Sequence, residues 1–184
     1  MRGSDATGSN ATGSNATGSN ATGDGSRRSS ADFTLPNGGP GPDPFTLSAL
    51  PDDLAVVVFH RDHLCGNCRR QAMRLARHRE EFRERNTAVV SVLPEPVERA
   101  AAWADRRDAP LPTLADPDSA VAERYGQPTR FGRFGARIDL LGRMPLAALV
   151  DLRGEPEILW RHAGTRPGDR PTIDDLLTEI AKFS

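Results

Sequence analysis

Apolar positions in this chain follow two patterns, unbroken β-branched runs and stripes at helical spacing, and the two alternate. Leu54-Ala55-Val56-Val57-Val58-Phe59 has no polar interruption, the composition of a central strand covered on both faces. It stops at His60-Arg61-Asp62-His63. From Cys68 the apolar residues Cys68, Ala72, Leu75, Ala76 and Phe82 recur at helical spacing, while Arg69, Arg70, Arg74, Arg77 and Arg83 take the other faces. The unit then repeats. Ala88 to Leu93 reads as a second buried strand, Pro94 and Pro96 punctuate, and Val97 to Asp105 is an Ala-rich helix carrying Trp103. Such alternation predicts a parallel sheet with right-handed crossovers.

Further along, Thr113-Leu114-Ala115 is a brief strand. Asp116 is placed to cap a helix with Pro117 at its first position, running through Tyr125 and stopping at Gly126. Leu146 to Val150 and Ile158 to His162 flank Arg153-Gly154 as an antiparallel hairpin, and Thr172-Ile173-Asp174-Asp175 opens a last helix ending near Phe183. Before all of these, residues 32–50 are short alternating apolar pieces broken by Gly and Pro, as in an edge hairpin. The order is βαβα(β)α followed by ββα. Residues 127–144 form the longest connection. Its Arg130, Phe131, Arg133, Phe134 and Arg137 read either as a lid or docking surface, or more simply as an irregular connection with solvated arginines.

Composition narrows the partners. Of 184 residues, 24 are basic and 25 acidic, a formal charge of -1, so there is no field that would select nucleic acid. No run of apolar residues is long enough to span a membrane, and no apolar signal-peptide core opens the chain, so a cytoplasmic location is expected. From Asp5 to Gly23 the sequence is nearly a five-residue Ala-Thr-Gly-Ser-Asn repeat, with nothing large enough to bury against the entropy of ordering. Residues 1–30 are therefore expected to be a disordered tail, read as a tag, a slipped repeat or a misplaced start, and residues 31–184 the folded domain. The sequons at Asn10, Asn15 and Asn20 would matter only on export.

The two cysteines of the chain, Cys65 and Cys68, form one C-x-x-C at the seam between a buried strand and a helix. A helix start aims unpaired amides and partial positive charge at a sulfur there. That dipole, with Arg61, Arg69 and Arg70 close in sequence, favours a thiolate at Cys65, from an ordinary pKa of ~8.5 into roughly the 3.5 to 7.5 range. Cys65 would attack, as the more exposed sulfur, and Cys68, about one turn on, would resolve the mixed disulfide. Two other readings stay open. One is a static disulfide or a pair of inert thiols, although a bridge closing so short a loop stabilises by only roughly 2 kcal/mol. The other is a metal site formed by His60, His63, Cys65 and Cys68, with no turnover. Haem attachment is excluded by Arg69, where that motif needs histidine. Asp62 and His63 are candidates to relay the thiol proton.

Taken together, Val56-Val57-Val58-Phe59-His60-Arg61 leading to Cys65-x-x-Cys68-Arg69, Leu114-Ala115-Asp116-Pro117-Asp118 leading to Tyr125-Gly126, and Met144-Pro145 leading to Val150-Asp151 resemble the redoxins. This is the alkyl hydroperoxide reductase and thiol-specific antioxidant family within the thioredoxin-fold superfamily. The resemblance covers residues 32–183. It implies an α/β thioredoxin-like fold, with a central mixed sheet flanked by helices and an N-terminal hairpin extension. It also implies a thiol-based antioxidant enzyme without cofactor or metal, reducing hydroperoxides or protein disulfides and recharged by a thioredoxin-like or other thiol reductant. Further, it implies that Pro145 is a cis-proline facing the active sulfur, with the Met144 backbone free to pair with an extended substrate. The chain departs from peroxiredoxins where they carry proline and threonine ahead of the first cysteine: those places hold Val58 and Asp62. It departs from thioredoxins in having Leu64 where they have tryptophan, so its residues combine a peroxiredoxin-like frame with a thioredoxin-like cysteine pair.

Overall fold

The computed structural model describes residues 31–105, 110–129 and 142–184. The repeat-bearing segment 1–30 and the loop residues Arg130, Phe131, Arg133, Phe134 and Arg137 lie outside the described residues.

Residues of the first apolar run form strand β3 (Leu54–Phe59), which is buried along its whole length. It sits in the middle of a five-stranded sheet of order β5-β4-β3-β6-β7, with β4 (Thr87–Leu93), β5 (Thr113–Ala115), β6 (Leu146–Asp151) and β7 (Glu157–Ala163). The pairs β3–β4 and β4–β5 are parallel, whereas β3–β6 and β6–β7 are antiparallel. The sheet is thus mixed. Its parallel half comes from the two strand–helix crossovers, and its antiparallel half from β6 running back beside β3 and pairing with β7 through the Arg153-Gly154 hairpin.

Because successive side chains of a strand point to opposite faces, β3 divides the core in two. Leu54, Val56 and Val58 pack with Leu75, Phe82, Leu176 and Ile180 of helices α1 (Gly66–Arg77), α2 (Arg79–Arg83) and α5 (Ile173–Ile180). Ala55, Val57 and Phe59 pack instead with Phe33, Phe45, Leu47 and Tyr125. The N-terminal hairpin, β1 (Thr34–Leu35) with β2 (Phe45–Thr46), therefore covers a face of the sheet as a separate small sheet. Only its connecting turn lies along the edge, where Gly38 donates to the Thr113 carbonyl and Ala115 to that of Pro36, both at 2.9 Å. A strand apolar on both faces needs two covers, and helix α4 (Ala120–Arg124) is too short to supply the second alone. Tyr125 ties the hairpin down by donating its hydroxyl to the Ala31 carbonyl at 2.5 Å.

Two helix boundaries differ from the periodicity. The Arg-rich stripe is two helices rather than one, because His78 leaves helical geometry (φ -100°, ψ 13°) between α1 and α2. Asp116 does cap α4, but from a distance: its carboxylate accepts from the amides of Val121 (3.3 Å) and Ala122 (2.9 Å). Pro117 thus lies in a turn before the helix, which starts only after Ser119 at φ +61°. Helix α3 (Val97–Asp105) and the start of α5, where Thr172 and Asp175 form a reciprocal cap, match expectation. No helix among the described residues is long and apolar enough to cross a membrane.

Candidate redox site at the start of the first long helix

Where β3 ends, the chain crosses five residues and enters α1 with Cys65 as the capping residue. The Cys65 sulfur accepts a hydrogen bond from the Cys68 amide at 3.2 Å, filling the role a serine or aspartate oxygen usually takes. Cys65 and Cys68 are joined in a disulfide, with Cα atoms 5.3 Å apart. Cys65 is 8% exposed and Cys68 not at all, so the first cysteine is the one that solvent reaches.

Two further donors face the sulfurs. The Arg61 amide lies 3.4 Å from the Cys68 sulfur. The Arg170 guanidinium lies 3.1 Å from the Cys68 sulfur and 3.7 Å from that of Cys65. Arg170 comes from the loop before α5 and is oriented by Gln71 of α1 and by the Pro167 carbonyl, which accepts from its Nε at 3.2 Å. Burial, and then the charge of Arg61, lower its pKa to about 10 against the opposing pull of Asp62, which leaves it cationic at neutral pH. Its distance of about a hundred residues from the C-x-x-C hides it from any local motif. The only cue was an arginine in the Arg166–Arg170 stretch just before a helix start.

The other expected residues sit close by but do different things. Arg61 points its Nε at the Arg143 carbonyl, 2.6 Å away, tying the end of β3 to the start of β6. Asp62 is buried and accepts from the Leu64 amide at 2.8 Å, shaping the turn that presents the cysteines. His63 places Nδ1 2.6 Å from Glu95, which also receives Arg99 at 2.9 Å. Burial raises the Glu95 carboxyl, but the hydrogen bonds from His63 and Arg99 outweigh it and hold it below its usual range. Neither the Asp62 nor the His63 side chain bonds to a sulfur. Leu64 stands beside Cys65 as the one large apolar side chain that is mostly exposed among the described residues, at 55%.

His60 is fully buried against Trp103, ring centroids 5.2 Å apart, and neither ring nitrogen has a hydrogen-bond partner among the described residues. Burial, with a further contribution from Arg170, lowers its pKa to about 3. The metal reading of His60, His63, Cys65 and Cys68 fails on this geometry. The sulfurs are bonded to each other, His63 turns to Glu95, and no three His, Cys, Asp or Glu side chains cluster in metal-binding fashion among the described residues.

A second correction concerns Met144-Pro145. The cis peptide bond found among the described residues is Asp43–Pro44, so the bond at Pro145 is trans. Both residues are buried. Nor is the Met144 backbone free: its amide donates to the Pro128 carbonyl at 2.8 Å and its carbonyl accepts from Gln127 Nε2 at 2.9 Å. The chain's own Gln127–Thr129 segment occupies the place expected for an extended substrate. Gln127 also donates to the His60 carbonyl at 3.2 Å, a clamp with no sequence signature.

A mixed five-stranded sheet, helices on its faces and a C-x-x-C disulfide at a strand-to-helix seam define a thioredoxin-like protein. The AhpC/TSA family model matches residues 27–141, and the chain belongs to that family. Among solved structures, peroxidoxin BcpB from Mycobacterium tuberculosis superposes with a TM-score of 0.67 at 22% identity, covering 83% of this chain and 94% of that one. Peroxiredoxin Q from Xanthomonas campestris gives 0.66 at 15% identity, with 82% and 90% covered. A protein assigned as the thiol:disulfide interchange protein DsbE of Chlorobium tepidum gives 0.60 at 21% identity, with 82% and 95% covered. These likenesses establish the fold. No curated protein sequence matches the chain.

Proposed function

We propose that the protein is a thiol–disulfide oxidoreductase in which Cys65 attacks and Cys68 resolves. The observation that carries this reading is the Arg170 guanidinium set against both sulfurs at a helix start, where Cys65 alone has access to solvent. On reduction, a negative charge on either sulfur would meet that cation and the unpaired amides of the first turn.

With a disulfide substrate, the Cys65 thiolate forms a mixed disulfide and expels one thiolate. Cys68, after losing its proton, attacks the Cys65 sulfur and releases the second. The protein loses two electrons and the substrate becomes two thiols. With a hydroperoxide, Cys65 takes the terminal oxygen as a sulfenic acid, an alcohol leaves, and Cys68 condenses with it to give the Cys65–Cys68 disulfide and water. A dithiol donor of thioredoxin type restores the reduced state in either case. Of the two substrates, disulfides fit the site better. Asp62 occupies the place of the peroxiredoxin threonine and spends its carboxylate on the Leu64 amide, leaving no hydroxyl there to orient a peroxide.

Stopped-flow oxidation of the reduced protein by hydrogen peroxide, set against catalysed reduction of insulin disulfides by dithiothreitol, separates the substrates. Faster insulin reduction is expected, and Cys65→Ser should abolish both reactions. Full activity in Cys65→Ser would overturn the assignment.

A further inference from the structure

Next to the disulfide a cavity of about 200 Å³ opens between α1 and the start of α5. Its polar wall carries Arg70, Arg74 and Arg170, and its floor is Leu75, Ile173 and Leu176. Among the described residues no acidic side chain lines it. Arg70 bonds to the neutral Asn67, and Arg170 bonds to the neutral Gln71, a carbonyl and the sulfurs. Arg74 is exposed and, among the described residues, has no side-chain hydrogen bond or ion pair. By contrast, several basic residues elsewhere, among them Arg79, Arg99, Arg153 and Lys182, are paired with carboxylates. Three guanidinium groups with no ion-pair partner among the described residues, around a small pocket with an apolar floor, form a receptor for an anion on an apolar body. The planar fork of arginine matches a carboxylate better than any other small anion except phosphate. Arg170 belongs both to this wall and to the sulfur environment, so a group held here lies beside the disulfide.

We infer that this pocket binds the carboxylate-bearing half of a small organic disulfide and thereby selects anionic over neutral substrates. The inference rests on the dithiol–disulfide reading above and names its substrate class. The pocket's volume suits one arm of such a molecule rather than a large ligand, for which sites run upward from about 300 Å³. Cys65 attacks the sulfur nearer the pocket, the far half leaves as a thiolate, and Cys68 then displaces the held half. The products are two thiols and the Cys65–Cys68 disulfide.

The test uses the reduced full-length protein and two aromatic disulfides that report their thiols by colour, the dianion dithiobis(nitrobenzoate) and the uncharged dithiodipyridine. The measured quantity is the ratio of their second-order rate constants. Arg74→Gln should lower that ratio about five-fold, the worth of one favourable charge contact near 1 kcal/mol. Arg77→Gln, which removes the same charge from the same helix outside the pocket, should leave it within about two-fold. Equal falls in the two variants would mean a diffuse field and overturn the pocket, as would no fall in Arg74→Gln. Those results would leave the proposed function standing. If the wild-type dithiol releases two thiols from neither reagent, the proposed function itself fails and the inference falls with it.

Discussion

Replacing Arg170 by glutamine tests the electrostatic core of the site. The substitution removes a cation 3.7 Å from the Cys65 sulfur while keeping an amide of similar reach. Coulomb's law at that distance gives about 1 kcal/mol if the pair is screened as in water and about 4.5 at an effective dielectric of ~20. Arg170 is half-buried, so a value between the limits applies, roughly 2 kcal/mol, or about 1.5 pH units. The rate of alkylation of Cys65 by iodoacetamide, followed by peptide mass spectrometry across pH, reports the thiolate directly. Its midpoint should move to higher pH in Arg170→Gln by roughly 1 to 2 units. Because the dithiol state loses that stabilisation, the disulfide should also become harder to reduce, by about 40 mV for 2 kcal/mol of a two-electron couple. Gln71→Leu, which removes one anchor of Arg170, should shift the midpoint the same way but less. A midpoint unmoved in Arg170→Gln would refute the claim that this side chain holds the thiolate.

Other consequences follow from burial. His60 is neutral in the fold with a pKa of about 3 against 6.5 in the open chain, so the unfolded state binds the extra proton between those values and stability falls as pH drops below 6.5. Between pH 7 and pH 5 this contributes about 2 kcal/mol of loss, which urea titrations should show in wild type and not in His60→Phe. Tyr125→Phe strips the hydroxyl from the bond that fastens the hairpin to α4, leaving the Ala31 carbonyl without it. Chemical denaturation should register a loss of about 1 to 2 kcal/mol. At Gly164, an added Cβ would sit 2.5 Å from the Asp169 carbonyl oxygen and 2.7 Å from Pro145 Cγ. Gly164→Ala should therefore cost about 1 to 3 kcal/mol. It should also slow insulin reduction by displacing the loop that delivers Arg170, a combination that thermal melts and activity assays on one sample would reveal.

How much of this was legible in one dimension depends on whether the cause is local. The run Leu54–Phe59, the Ala-rich helix at Val97–Asp105, the Arg153-Gly154 hairpin and the Thr172 cap are each produced by neighbours within a few residues, so periodicity and turn chemistry locate them. The placement of Cys65 at a helix start has the same origin, because the strand ends at Phe59 and the helix begins at Gly66, directly after Cys65. What the pattern misplaced was also instructive. Asp116 caps the helix, but its partners are five and six residues away. His78 interrupts a stripe whose apolar spacing continues unbroken.

Composition and order along the chain by themselves determined the strand–helix rhythm and the position of the sulfur pair, since backbone hydrogen bonding and burial of one helix face respond to residues nearby. Only the folded chain decided what surrounds the sulfurs. The antiparallel return of β6 beside β3 puts Met144 against Gln127 and Pro128, using up the backbone groups an extended partner would need. Packing of α5 on α1 carries Arg170 across a hundred residues to within hydrogen-bonding distance of Cys68. Charge interactions depend on distance through space, and that distance is set by which hydrophobic faces bury one another, information that no window of the sequence contains.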